Sequence, residues 1–172
     1  MTIIVLTGTP GVGKTTIVMS VANKLRAKDI KVGGVVSREV RTNNIRTGFE
    51  FIDIATDDRR VLASVTENGP RVGKYFVNLS GCQFAADRVT KALINSDVII
   101  CDEIGPMELK SKEFTDAARN LLMTDKKVIV VVHQRLEHAL VNEFREKSSS
   151  SISINLGNRE KVIESLLDRL TV

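Results

Sequence analysis

The stretch Gly8-Thr9-Pro10-Gly11-Val12-Gly13-Lys14-Thr15 constrains this chain more than any other. It has Gly, four residues, then Gly-Lys-Thr, the pattern of a phosphate-binding loop. Its flanks agree. Ile3 to Leu6 is a short apolar run suited to a buried strand, and Ile17, Val21 and Leu25, with Val18 alongside, recur as on a buried helix face. A strand therefore turns through glycines into a helix whose N-terminus points at the turn. Unpaired N–H groups at a helix start, together with the helix dipole, favour an anion there. Glycines let the backbone curl around that anion where a Cβ would clash. Lys14 can reach the β- and γ-phosphates, and the Thr15 hydroxyl can hold Mg²⁺. The expected ligand is a nucleoside triphosphate or diphosphate, held by Gly8 to Thr15 with Thr16 behind them. The bland alternative, a Gly-rich turn that happens to hold a lysine, leaves the match at every fixed position unexplained.

At 172 residues the length suits a single domain spanning 1–172, ample for a sizeable core. A net charge of +4 suits an anionic ligand but is too small and scattered to indicate nucleic acid. There is no Trp and no basic–aromatic interleaving that would stack bases, so nucleic-acid binding is unsupported. Two cysteines give no framework spacing. Cys101 sits inside an apolar run and reads as a buried small hydrophobe. Cys82 follows a glycine in an expected loop and receives no role. A reduced, cytoplasmic setting and a monomer are the expectation. No apolar run reaches membrane-spanning length, and the N-terminus reads as a core strand rather than a signal peptide.

Along the chain, strand and helix patterns alternate. Val32 to Val40 reads as a strand, Thr42-Asn43-Asn44 as a turn and Gly48 to Ile54 as a second strand. Two strands joined by so short a turn must pair antiparallel, because a parallel return needs a crossover. Asp57 to Ser80 is irregular and too polar for a sheet centre, with Tyr75-Phe76-Val77 as a short strand; it is expected to cover an edge or the ligand cleft. A helix with a narrow apolar face follows through Phe84, Val89 and Leu93. Val98 to Cys101 is a buried strand ending in Asp102-Glu103. Ser111 is placed to cap a helix carrying Phe114, Ala118, Leu121 and Leu122 on one face. Val128 to Val132 is a strand ending at His133, and Leu136, Leu140 and Phe144 mark another helix. Ser151 to Leu156 alternates as a last strand before a helix through Val162, Leu166 and Leu170. The order predicts an α/β fold, a mainly parallel sheet with helices on both faces and an inserted antiparallel hairpin. Ligands of such sheets bind at the carboxyl ends of the strands. The loop, Asp102-Glu103 and His133 should therefore converge on one rim.

An apolar strand ending in an acid is the second half of the phosphate-loop pattern, and Asp102 would hold Mg²⁺ with Thr15. Glu103, one residue further, can reach a water in line with the γ-phosphate and orient or deprotonate it. Hydrolysing nucleoside-triphosphatases of the catalytic-glutamate division carry Glu at this place. In that division the Val128–Val132 strand lies between the loop strand and the Asp102 strand. His133 would then stand near the γ-phosphate as a sensor, or simply end a strand on backbone hydrogen bonds. The transition state needs positive charge beyond Lys14, with Arg38, Arg41, Arg46, Arg71 and Lys74 as the candidates. The alternative for each is a solvated surface cation.

Several strings together resemble a known family. They are Thr7 to Thr16, the block Gly34 to Arg41 leading to Arg46-Thr47-Gly48-Phe49, Arg71-Val72-Gly73-Lys74-Tyr75, and Asp102-Glu103-Ile104-Gly105-Pro106-Met107-Glu108-Leu109. They are similar to the small P-loop nucleoside-triphosphatases found in thermophilic prokaryotes and, as the cancer-related nucleoside-triphosphatase, in animals. The resemblance implies a RecA-like P-loop core with an inserted hairpin. It also implies Mg²⁺-dependent hydrolysis of ATP, GTP and other nucleoside triphosphates to the diphosphate and phosphate, slow and tolerant of the base. Family members often have Lys where this chain has Pro106. In the Met107-Glu108-Leu109 segment, Met107 and Leu109 are expected to pack the loop and leave Glu108 exposed. Two alternatives share the loop, size and fold class: a small-molecule or nucleotide kinase, with Asp57–Ser80 as its lid, and a nucleotide-dependent switch acting through a partner.

Overall fold

The computed structural model describes residues 1–172. The chain opens with β1 (Thr2–Gly8), the glycine turn and α1 (Lys14–Arg26), followed by β2 (Val32–Thr42) and β3 (Ile45–Asp53) as a hairpin. Three shorter strands come next, β4 (Arg59–Ser64), β5 (Arg71–Val72) and β6 (Tyr75–Val77), then α2 (Leu79–Asn95). Strands and helices alternate from there: β7 (Val98–Ile104), α3 (Lys112–Asn120), β8 (Lys127–Val132), α4 (Ala139–Lys147), β9 (Ser150–Ile154) and α5 (Arg159–Thr171).

All nine strands join one sheet in the order β5-β6-β4-β3-β2-β7-β8-β1-β9. From β2 to β9 every pairing is parallel, and β8 lies between β7 and β1, as expected of the catalytic-glutamate division. The hairpin and its neighbours β4 to β6 extend the sheet antiparallel on the other side of β2.

Successive strand residues point to opposite faces, so the apolar runs feed two cores at once. Ile3 and Val5 pack with Phe51, Val89, Phe114 and Phe144 under α2, α3 and α4. Ile4 and Leu6 pack with Ile17, Val21 and Leu166 under α1 and α5. Fully buried phenylalanines such as Phe51 and Phe114 are each worth about 3–5 kcal/mol against alanine. The insert is fastened to α2 by a buried ion pair. Arg88 reaches Asp53 at 3.1 Å and lies over the Phe84 ring at 4.7 Å.

Several local expectations hold, and others shift. Ser111 Oγ accepts the Phe114 N–H at 3.1 Å and caps α3, though Leu121–Met123 tightens into a 3-10 turn. The irregular Asp57–Ser80 segment lies at the sheet edge as expected, but it holds β4 and β5 as well as β6. Cys82 is not in a loop: α2 starts earlier, capped by Asn78 accepting from the Gly81 N–H at 2.7 Å, and buries the thiol. Leu136 precedes α4 rather than sitting in it, and the last strand ends at Ile154. Glu108, expected to be exposed, is only 4 % exposed, while Met107 and Leu109 do pack on the core. No helix is long and apolar enough to cross a membrane.

Candidate active site

The glycine turn, the end of β7 and the end of β8 meet at the carboxyl rim and line one cavity of about 830 Å³. Gly8 to Gly11, Gly13 to Thr16, Asp102, Glu103 and His133 all contribute, as the strand-end argument requires. Val12 is buried in the core beneath the loop instead.

The loop conformation needs its glycines. Gly11 has φ +78° and Gly13, the N-cap of α1, has φ +98°, both in the left-handed region. Lys14 follows at the first helical position, and its ammonium donates to the Gly8 carbonyl at 2.9 Å and the Thr9 carbonyl at 3.2 Å. The cation is thus held directly over the loop. No acidic residue occupies the first turn of α1, so nothing there competes with an anion for the helix N-terminus.

Thr15 ties the loop to β7: its hydroxyl donates to Asp102 Oδ2 at 2.5 Å. Asp102 is 3 % exposed. Burial, foremost, and the charge of Glu103 raise its carboxyl to about 7, against the Thr15 hydrogen bond and Lys14, which lower it. A cation placed beside it would restore the ionised form. Thr15 and Asp102 offer hard oxygen donors, the chemistry that Mg²⁺ selects. That ion keeps several waters and takes substrate phosphates as further ligands, so two protein oxygens suffice. The residues fit the ion.

Glu103 is the next residue of β7, half-buried, with its side chain on the cavity. Beyond Ile104 the chain turns through Gly105-Pro106-Met107 into a 3-10 turn at Glu108–Lys110. That turn brings Glu108 back to the cavity wall beside Glu103. Pro106 also lines the cavity, so the departure from the family's frequent Lys lies at the site itself.

His133 N–H donates to the Ile104 carbonyl at 3.2 Å, and its Nδ1 accepts the Arg135 N–H at 3.4 Å. These bonds fix the ring beside the end of β7.

The five candidate cations separate. Arg38 lines the cavity, paired with Glu50 at 3.0 Å. The other four do not line it. Arg41 and Arg46 both pair with Glu39 at 3.0 Å. Arg46 also donates to the Tyr75 hydroxyl at 2.9 Å, with its guanidinium over the Phe49 and Tyr75 rings. Arg71 donates to the Gly73 carbonyl, and Lys74 lies over Tyr75 at 5.5 Å.

Sequence reasoning missed Arg135, which lines the cavity and makes no ion pair. The rim rule could have found it, two residues past His133. It also missed Arg159, whose Nη2 lies 3.1 Å from where a Cβ on Gly13 would stand. No local signal in the sequence marks that approach.

Comparison with known proteins bears on this geometry. The family profile described as NTPase matches residues 3–167. The nucleoside-triphosphatase THEP1 of Methanopyrus kandleri is 39 % identical over 169 residues, covering 97 % of this chain and 94 % of that protein. The THEP1 of Methanocaldococcus jannaschii is 34 % identical over 97 % of this chain and 96 % of that protein. Among solved structures, the crystal structure of THEP1 from the hyperthermophile Aquifex aeolicus superposes with a TM-score of 0.84 at 32 % identity, covering 98 % of both chains. The solution structure of a human cancer-related nucleoside triphosphatase gives a TM-score of 0.81 at 29 % identity, over 99 % of this chain and 97 % of that one.

Proposed function

This chain belongs to the nucleoside-triphosphatase family of the THEP1 proteins, and on that premise we propose that it hydrolyses ATP, GTP and other nucleoside triphosphates to the diphosphate and phosphate, with Mg²⁺ and with little selection of the base. The single sheet from β5 to β9 supports reading residues 1–172 as one catalytic domain. The observation that carries the mechanism is the convergence of Lys14, Thr15, Asp102 and Glu103 on one cavity.

Each residue has a role that its place supports. The amides of Gly8 to Thr16 and the α1 N-terminus bind the phosphates. Lys14 neutralises charge that grows on the phosphate oxygens as the anhydride bond to the γ-phosphorus breaks. Thr15 and Asp102 would hold Mg²⁺, which when bound supplies positive charge against the same oxygens. Glu103 orients the attacking water and takes its proton as the new oxygen–phosphorus bond forms. His133, fixed by its backbone contacts, senses the γ-phosphate. Arg38 and Arg135 are the cations placed to add charge from the cavity wall. The loop grips the part of the substrate that all nucleoside triphosphates share, which supports broad base tolerance.

The test is phosphate release from ATP, GTP, CTP and UTP with Mg²⁺, beside the same assay on Lys14→Ala. Release from all four, lost in the variant, is the expected result. Tight nucleotide binding without release would overturn hydrolysis as the reaction and favour transfer to an acceptor.

A further inference from the structure

A second cavity, of about 540 Å³, adjoins the phosphate loop on the β9 side. Gly8, Thr9 and Gln134 line both cavities, so the two are continuous across the start of the loop. The other wall of the second is the end of β9 and the connection into α5, from Ser153 to Gly157.

The β9–α5 connection touches the glycine turn at both ends. A Cβ on Gly8 would stand 3.0 Å from the Ile154 carbonyl oxygen, and one on Gly13 would stand 3.1 Å from Arg159 Nη2. Between these contacts the connection is held by its own side chains. The Asn155 N–H donates to Asn158 Oδ1 at 2.9 Å, the Gly157 N–H to Asn155 Oδ1 at 2.8 Å, and Asn158 Nδ2 to the Ser153 carbonyl at 2.8 Å. Both asparagines are thereby committed locally, and Leu156 between them is left 79 % exposed on the cavity. An exposed leucine is ordinary by itself; this one borders the cleft that continues the phosphate site.

The direction of a bound triphosphate follows from the sheet order β7-β8-β1-β9. Asp102 and Glu103 on β7 and His133 after β8 gather at the γ-phosphate end. The glycine turn follows β1, so the α-phosphate, at the opposite end of the row of phosphates, faces β9. Neighbouring strands lie about 4.8 Å apart, so a nucleoside leaving the turn in that direction meets the β9–α5 connection one strand away. The apolar wall of Phe49, Leu62 and Val72 belongs to the insert, beyond β7 on the γ-phosphate side. A base there would turn the α-phosphate toward Glu103. We propose that the cleft between the glycine turn and the β9–α5 connection binds the ribose and base of the nucleotide, with Leu156 against the face of the base and Arg159 beside the α-phosphate. Every base has such a face, so this contact holds the nucleoside without choosing among bases. The inference rests on the glycine turn as a nucleotide site.

The chain has no tryptophan, so Leu156→Trp places a single fluorescent reporter in the cleft, at a side chain exposed enough to spare the core. Its emission is followed during titration with Mg²⁺-ADP and, separately, with Mg²⁺-tripolyphosphate, which offers phosphates without a nucleoside. Neither titration needs turnover. ADP should shift the emission saturably and tripolyphosphate should not. In Leu156→Ser, ADP affinity read by calorimetry should fall about ten-fold, with tripolyphosphate affinity unchanged. ADP binding that leaves the Trp emission unmoved overturns the proposal, as does an equal response to both ligands. Wild-type ADP affinity in Leu156→Ser overturns it too. A wild-type chain that binds neither ligand would remove the nucleotide reading itself, and this inference with it. One that binds both, while the Leu156 variants respond to ADP as to tripolyphosphate, would remove this inference alone.

Discussion

Replacing Glu108 with Gln should stabilise the folded chain, and the gain should grow with pH. The acids that act on Glu108 are Glu103 and Asp102 on β7. The remaining titratable neighbours are the thiols Cys101 on β7 and Cys82 on α2, which burial keeps neutral. Burial first, then Glu103, raises the Glu108 carboxyl to about 8 from an ordinary 4.5, against hydrogen bonds from the backbone at Glu108 and Gly105. A carboxyl raised in this way binds its proton more tightly in the folded chain than in the unfolded one. Its contribution to stability is complete below pH 4.5 and is lost as the pH rises through about 8. Between about pH 6 and pH 8 the unfolded chain has already ionised while the folded chain keeps its proton. Each pH unit in that interval costs the folded state about 1.4 kcal/mol. The loss is then about 3 kcal/mol across the two units. Gln does not titrate, and Asp102 is common to both chains. Urea unfolding of wild type and Glu108→Gln at pH 6 and pH 9, in chelator, reads the difference directly. The gap between them should widen toward Gln by about 3 kcal/mol. A gap that is independent of pH, or one that widens toward Glu, refutes the reasoning.

Glu103→Gln should lower phosphate release by about 10²-fold or more while nucleotide binding, read by equilibrium titration, stays intact; retained turnover would remove its role. Arg135→Ala should reduce kcat about ten-fold or more, in the direction of other charge-stabilising arginines. Arg41→Ala, whose arginine pairs with Glu39 but does not itself line the cavity, should leave kcat unchanged, so equal effects would count against Arg135. Arg88→Ala removes the partner of Asp53, which is 3 % exposed. Asp53 keeps bonds from the Ala55 N–H at 2.9 Å and the Thr56 hydroxyl at 2.8 Å. The loss in urea unfolding should therefore be about 2 kcal/mol, below the full cost of breaking a buried pair.

The parts of this molecule that could be read in advance are those where chemistry is local in sequence. The glycine turn carries its own strand, its own helix and its own φ requirements. The apolar runs of β1, β7 and β8 end where their polar rim residues begin. Even the Ser111 cap follows from a hydroxyl three residues before Phe114. What escaped depends on how the chain returns to itself. Glu108 follows Met107 in a string that reads as an ordinary surface turn, and only the closure from Gly105 to Leu109 turns its carboxyl inward. Cys82 reads as loop because Gly81 precedes it, but Asn78 starts the helix earlier and places both residues inside it. Arg159 lies far along the chain from Gly13 and meets it only through the adjacency of β1 and β9.

The insert shows the same division and changes where positive charge must come from. Its arginines made it the expected source of charge, because basic residues cluster there in sequence. In the fold, Arg41 and Arg46 are committed to Glu39, and Arg46 also to Tyr75. Beside Arg38 and Glu39 of β2, the insert presents Phe49, Leu62 and Val72 to the cavity as an apolar wall. Such a wall supplies no charge, yet it lowers the local dielectric and so strengthens every charge that does face the site. Lys14 stands on the loop side and Arg135 just beyond the end of β8, and both line the same cavity as that wall. The insert is therefore placed chiefly to exclude solvent: of its cations Arg38 alone lines the cavity, while Arg41 and Arg46 belong to the ion pairs at Glu39.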